Sequence, residues 1–102
     1  MQIISKLSDM IGEELSDAEK YARCALEHKE GFPSLAKTFL KLSQEELGHV
    51  QLLHAQAVAI IEDYKKAHGD SPANMQAVYD YLHKKNVDKA AEIKVLQSMF
   101  DS

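Results

Sequence analysis

The stretch LSQEELGHVQLLH, residues 42–54, repeats apolar residues at three- and four-residue intervals and sets Glu46 and His49 among them. That spacing predicts an amphipathic helix. Ionisable groups in the stripe a helix turns towards its neighbours need a reason, because an unpaired buried charge is costly. Either the stripe is wet at this point, or something pairs with the carboxylate and the imidazole.

Working outward, the helix around this stretch runs from about Pro33 to His68. At about 1.5 Å per residue it spans roughly 50 Å. Its predicted stripe is Leu35, Phe39, Leu42, Glu46, Val50, Leu53, Ala57, Ile60, Ile61 and Tyr64. Pro33 suits the first helical position, where a missing N–H costs nothing, and Gly69 ends the run. Upstream, a first helix is predicted from about Ser5 to Lys29, with Ile4, Leu7, Ile11, Ala18, Ala22 and Ala25 in line and Leu15 and Leu26 beside them. Gly31 is expected to stop it with a positive φ. The connection is so short that the two helices must form an antiparallel hairpin.

Downstream, Asp70-Ser71-Pro72 reads as a cap followed by a first-turn proline. A third helix is predicted over about residues 72–85, burying Met75, Val78, Tyr81 and Leu82, with an interruption at Asn86 or Asp88. The last segment, DKAAEIKVLQSMF, has helical spacing through Ile93, Leu96 and Phe100. It either continues helix three or forms a fourth helix. The expected organisation is one helical domain over residues 1–102, with a hairpin at 1–69 and a C-terminal helical segment at 70–102. The second helix is longer than the first, so part of its stripe needs cover from the C-terminal segment, from a second chain, or from both.

Composition narrows the function classes. The chain has 102 residues, enough for one modest core. Its formal net charge of −4 argues against a phosphate-backbone binder. No apolar run approaches the roughly 20 residues of a membrane span, and the start, MQIISKLSDMIGEEL, lacks the pattern of a secretion signal. Cys24 is the sole cysteine, so no intrachain disulfide can form, and it reads as a small packing residue. A cytoplasmic protein without nucleic-acid or membrane partners is expected.

Placing the polar residues at about 100° per residue isolates a small set. Glu46 falls near the middle of the second helix's apolar arc, His49 lies at its edge, and Glu45 points further out. On the first helix Glu14 lies within the arc, Glu13 and Glu19 lie outside it, and Tyr21 follows Glu14 by two turns on the same side. The inward ionisable set is therefore Glu14, Glu46 and His49. A carboxylate and an imidazole at i and i+3 are neighbours on one helix face and can ligate the same or adjacent metal ions. Mixed carboxylate and imidazole donors suit iron or manganese, with zinc also compatible. Di-iron bundles use one Glu from each of two helices and Glu-x-x-His from each of two others. This chain supplies half of that set, and two chains related by a twofold axis would supply all of it.

Residues 10–55 resemble the first half of a rubrerythrin or ferritin-like domain. The carrying features are Gly12-Glu13-Glu14, Tyr21 seven residues after Glu14, the turn Glu30-Gly31-Phe32, and Glu45-Glu46-Leu47-Gly48-His49. The resemblance implies Glu14 as a bridging or terminal carboxylate, with Glu13 the competing residue by register. It implies Glu46 and His49 as the second-helix ligands. Tyr21, Glu45 and His54 are the candidates for a supporting layer around them. Full-length members carry a second Glu and a second Glu-x-x-His on later helices, and this sequence departs there. In that respect it is similar to short, dimer-built ferritin-like proteins, including encapsulated ferritins, although no extension after Phe100 looks like an encapsulin-targeting segment. The expected fold is all-α: a long antiparallel hairpin plus one or two short C-terminal helices, dimerising into a ferritin-like four-helix bundle. The implied function is a di-iron site between two chains of an even-numbered homo-oligomer, holding two irons per dimer, with iron oxidation or peroxide scavenging as its chemistry.

Blander readings stand beside these. Glu46 and His49 also fit the wet rim of a helix seam, and Glu14 a pairing with Lys20 or Lys41. The chain would then be a non-enzymatic helical assembly or adaptor protein without metal. An internal completion of the site through Asp80 and His83 is disfavoured, because both are predicted to face away from Met75, Val78 and Tyr81. His54 reads as a surface or interface residue if it is not part of the supporting layer. His28 and His68 sit near helix C-termini, where the dipole favours partial positive charge.

Overall fold

The computed structural model describes residues 2–69 and 73–101, without the side chains of residues 73–75 and 78. The described chain is all-helical, with α1 at Gln2–His28, α2 at Pro33–His68 and α3 at Ala73–Met99. The expected cap at Asp70-Ser71-Pro72, and the expected burial of Met75 and Val78, lie outside what is described. No described helix is long and apolar enough to cross a membrane.

α1 starts ahead of the predicted Ser5 because Ile4 is buried, in one cluster with Ala57 and Ile61 of α2. The hairpin turn corrects a local expectation. Gly31 does not take a positive φ. The chain leaves α1 through the Phe32 N–H, which donates to the His28 carbonyl at 2.9 Å, and the Ala36 N–H then donates to the Phe32 carbonyl at 2.9 Å. With Pro33 fixing the first φ of α2, the turn needs no left-handed residue. Gly69 ends α2 as expected: its φ is 82° and its N–H donates to the Lys65 carbonyl.

The buried residues of α1 are Ile4, Ile11, Leu15, Ala18, Ala22 and Ala25, as the spacing predicts. On α2 they are Ala36, Ser43, Leu47, Ala57 and Ile61, so the seam is displaced from the predicted stripe. Leu35 is 44% exposed whereas Ala36 is fully buried. Small side chains let two helices approach closely, so alanine and serine take the centre. Bulkier Leu42, Leu53 and Ile60 are left half-buried on the flank. Glu46 shares that flank and is not at the centre of the stripe.

α3 is one unbroken helix of 27 residues: the last segment continues helix three, one of the two readings the spacing allowed, while the interruption at Asn86 or Asp88 and the shortness expected of this segment are not found. No Gly or Pro lies within it, and the helix cost of Asn86 or Asp88, at most about 0.7 kcal/mol each, is outweighed by packing on either side. α3 runs alongside α1 in the same direction. Tyr79 packs at the Ile4 end, Ile93 joins Ile11, Leu15, Ala18 and Leu47, and Phe100 closes over Ala25 and Ala36. The Lys89 ammonium bridges to Glu19 at 2.9 Å. Extending the Ile93 and Phe100 face backwards reaches Asn86, His83 and Tyr79. Tyr81, expected in the core, is therefore 68% exposed, and His83, expected to face away, is half-buried.

The three helices form a rod of 56 × 18 × 17 Å. α3 covers one flank of the hairpin. The opposite flank carries Met10 and Leu35, exposed by 40% and 44%, with half-buried Leu7, Phe39, Leu42 and Leu53 between them.

Ile93 is fully buried where all three helices meet. Truncation to alanine is expected to lower unfolding free energy by about 2–4 kcal/mol, read from the denaturant midpoint at constant slope. A cost near zero would mean that α3 does not dock as described.

Candidate metal centre

The register of the hairpin decides what meets at the carboxylate cluster. Ser43 is completely buried, and its Oγ donates to the Ala18 carbonyl at 2.7 Å. The pairs Ile4 with Ala57 and Ala25 with Ala36 keep the same antiparallel register. Reading along it from Ala18 and Ser43 brings Glu14 level with Glu46 and Leu47. Helical phase then turns Glu14 and Glu46 to the flank away from α3, and His49 lies one turn beyond Glu46.

The three residues singled out in the sequence do come together. One ligand atom from each of Glu14, Glu46 and His49 can be chosen so that all lie within 4.8 Å of one another. His49 Nδ1 is 3.3 Å from a Glu14 carboxylate oxygen and 3.6 Å from one of Glu46. Glu46 is the most sheltered, with 18% of its side chain exposed, against 30% for Glu14 and 53% for His49. The partner of Glu14 is thus the imidazole, not Lys20 or Lys41. Glu13 and Glu45 are exposed and stand outside the group; Glu13 lines the groove between α1 and α3 instead. Tyr21 is half-buried and stacks on Phe39, ring centroids 6.2 Å apart. The hydrogen bonds of His54 run elsewhere, to His83 and Tyr79 of α3. It is half-buried rather than a surface residue.

Two carboxylates this close cannot both carry full charge cheaply. The hydrogen bond to Glu14, burial and the charge of Glu14 push Glu46 up to about 7. The same hydrogen bond, seen from Glu14, holds Glu14 below the ordinary carboxylate range, and His49 adds to that effect. Without a cation, then, Glu46 keeps its proton to a higher pH than a carboxylate in water, because ionised Glu14 lies beside it. A divalent ion would replace that proton. Carboxylate oxygens plus one imidazole form a donor set that iron and manganese accept, and the charge of nearby Asp17 on α1 adds to the negative field there. The residues present therefore fit one half of a dinuclear carboxylate site.

The elevated Glu46 makes a pH prediction. The folded chain binds a proton there between about pH 4.5 and 7 that the unfolded chain does not. Stability of the metal-free protein should fall as pH rises through that window. Glu14, held low, acts oppositely, and its contribution is lost only as pH drops below about 4.5. Urea midpoints measured from pH 5 to 8 should therefore decline, and Glu46→Gln, which keeps a donor towards Glu14, should flatten the decline. An unchanged slope in that variant would place the titrating group elsewhere.

One group of chemistry-bearing side chains escapes the sequence reading, the cluster of His54, His83 and Tyr79. Tyr79 and His83 are spaced i, i+4, which puts them on one helix face. That signal is masked by Tyr81 and Leu82, which suggest a different inward face.

Comparison with known proteins agrees with the helical fold. No curated protein and no solved structure matches the chain. The family model described as rubrerythrin matches residues 6–98, a span that takes in most of all three helices and the Glu14, Glu46 and His49 group. The chain belongs to the rubrerythrin family.

Proposed function

We propose that this chain is a ferritin-like metal-binding protein whose dinuclear iron site forms between two copies, and that it oxidises iron or consumes peroxide. The observation that carries the reading is the convergence of Glu14, Glu46 and His49 to within 4.8 Å. Membership of the rubrerythrin family supports iron as the metal. Manganese or zinc are the alternatives that the same donors admit.

A second copy is called for by count and by surface. Di-iron bundles use four carboxylates and two imidazoles, and one hairpin supplies two and one. The missing half must approach the flank that α3 leaves open. Met10 and Leu35 are exposed there, on either side of the acidic group. An apolar surround of this kind suits burial against a copy of itself, because a twofold interface places each patch on its own equivalent. Asp80 and His83 do not complete the site within one chain: His83 bonds to His54, and Asp80 is exposed and accepts from Gln76.

Iron held by such donors supplies one-electron exchange with dioxygen or peroxide. The chain's own residues do the following. Glu14 and Glu46 provide the negative charge that draws a cation in, and Glu46 gives up its proton when the cation arrives. His49 contributes the one nitrogen of each half-site. Leu42 and Leu53, one turn or two either side of Glu46 on the same flank, exclude water from the paired halves and so strengthen the electrostatic attraction there.

Anaerobic loading with Fe(II), desalting and native mass spectrometry read oligomer and metal together. The expected species is an even-numbered oligomer holding about two irons per pair of chains. Glu46→Ala should lower iron affinity at least tenfold, about 1.4 kcal/mol, while the metal-free oligomer persists, since the variant relieves repulsion among four carboxylates. A monomer, or a dimer that ignores iron, would overturn the proposal and leave a helical assembly protein without metal.

A further inference from the structure

A second group of ligand-type side chains sits on the other side of the hairpin, under α3. His54 Nε2 lies 3.0 Å from His83 Nδ1 and 3.3 Å from the Tyr79 hydroxyl. Beside them is a cavity of about 10 Å³ whose polar lining is completed by Ser8 and Asn86, with Ile4 and Ala57 as apolar walls. A space of that order holds about one water or one ion. All three helices contribute to it.

We propose that His54 and His83, with Tyr79 beside them, form a second metal site that takes one imidazole-preferring divalent ion, copper(II) or zinc(II), and clamps α3 to α2. The spacing suits this role. Two nitrogens each about 2.0 Å from one ion and at roughly right angles to each other stand about 3 Å apart, which is the separation between these two. The imidazole planes are stacked, inclined by 23° with centroids 4.6 Å apart, and binding requires one ring to turn about its broad χ2 torsion so that both lone pairs face the adjoining cavity. Burial, and then the nearby His83, hold the His54 imidazole below its usual pKa, which keeps it in the neutral form that binds metal. Burial, and then Asp80, push the Tyr79 phenol above its usual range. It stays protonated, so the two imidazoles would be the site's donors and Tyr79 a hydrogen-bonding neighbour.

The donor chemistry separates this site from the first. No carboxylate belongs to it, so it favours copper(II) or zinc(II) over the iron and manganese that suit Glu14, Glu46 and His49. Its place in the fold gives the binding a consequence. α3 packs mainly on α1, and side-chain hydrogen bonds join it to α2 from His83 and Tyr79 to His54 and from Gln97 to Ser43. An ion shared by His54 and His83 would tie α2 and α3 together, and binding to the folded chain alone would raise its stability.

The test uses the full chain carrying Glu46→Ala and His49→Ala, so that the first site cannot compete, with copper(II) as probe. Electron paramagnetic resonance should show about one ion per chain, with hyperfine structure from two imidazole nitrogens, and the thermal midpoint should rise by at least about 3 °C. Adding His54→Gln or His83→Gln should each weaken binding at least tenfold and remove the two-nitrogen signature, while His68→Gln changes neither. Equal copper affinity in the His54 and His83 variants, or no stoichiometric binding in the parent, would overturn the proposal. Circular dichroism checks that the variants fold. If either does not, copper-induced broadening of imidazole resonances in the parent decides: loss of the His54 and His83 signals first supports the site, and loss at His28 or His68 first overturns it.

Discussion

The buried hydroxyl of Ser43 holds the register on which the rest of the molecule depends. It donates to the Ala18 carbonyl of α1 and accepts from the Gln97 amide of α3, so one atom ties three helices at a single level. A buried hydroxyl without partners would cost stability, and these partners exist only in this alignment. Small residues reinforce the same choice. Ala18, Ala22, Ala25 and Ala36 are all buried, and a shift of one residue would force larger side chains into the space they leave. The level of Glu14 against Glu46 is thus a consequence of packing a full turn away from either carboxylate.

That register brings like charges together, which a fold selected for stability alone would avoid. Glu46 could have paired with a lysine, as Glu19 does with Lys89 on the other flank. Instead its neighbours are Glu14 and His49, and its proton is retained towards neutral pH. The contrast between the two flanks is informative because both were available to the same helices. On the α3 side, Lys89 pairs with Glu19 and Glu92 within the chain. On the open side, the close group is Glu14, Glu46 and His49, residues with metal-ligand chemistry.

Much of this arrangement is legible in the amino-acid sequence. The bounds of α2, the stop at Gly69 and the antiparallel hairpin follow from a proline, a glycine and the shortness of the loop. Helical phase places Glu14 on one helix, and Glu46 with His49 on the other, towards the hairpin partner, because phase is reliable over the few turns separating residues on one helix; that Glu14 stands level with Glu46 is added by the register. The choice of seam on α2 is not legible. Hydrophobicity points to Leu35 and Leu42, but close approach of the backbones favours Ala36 and Ser43, and serine carries no apolar signal. α3 is harder still. Tyr81, Val87, Val95 and Met99 are exposed, so apolar residues lie all around it and no single face stands out. Its inward face is set by α1, through Ile93 and Glu19, and by the half-buried polar groups Tyr79, His83 and Gln97, whose inward placement requires partners that only the fold reveals.

The placement of α3 on one flank explains how a chain this short can keep two polar clusters apart. A hairpin alone has two open flanks, and either could be filled by a third helix or by another molecule. α3 fills the flank that offers Glu19, His54 and Ser43, each of which it matches with Lys89, His83 or Gln97. Nothing described on α3 matches Glu14 and Glu46, since its lysine nearest in level is already held by Glu19 and Glu92. Charge and hydrogen bonding favour the flank that α3 takes, because Glu19, His54 and Ser43 each find a partner there, and the acidic group on the opposite flank is left accessible.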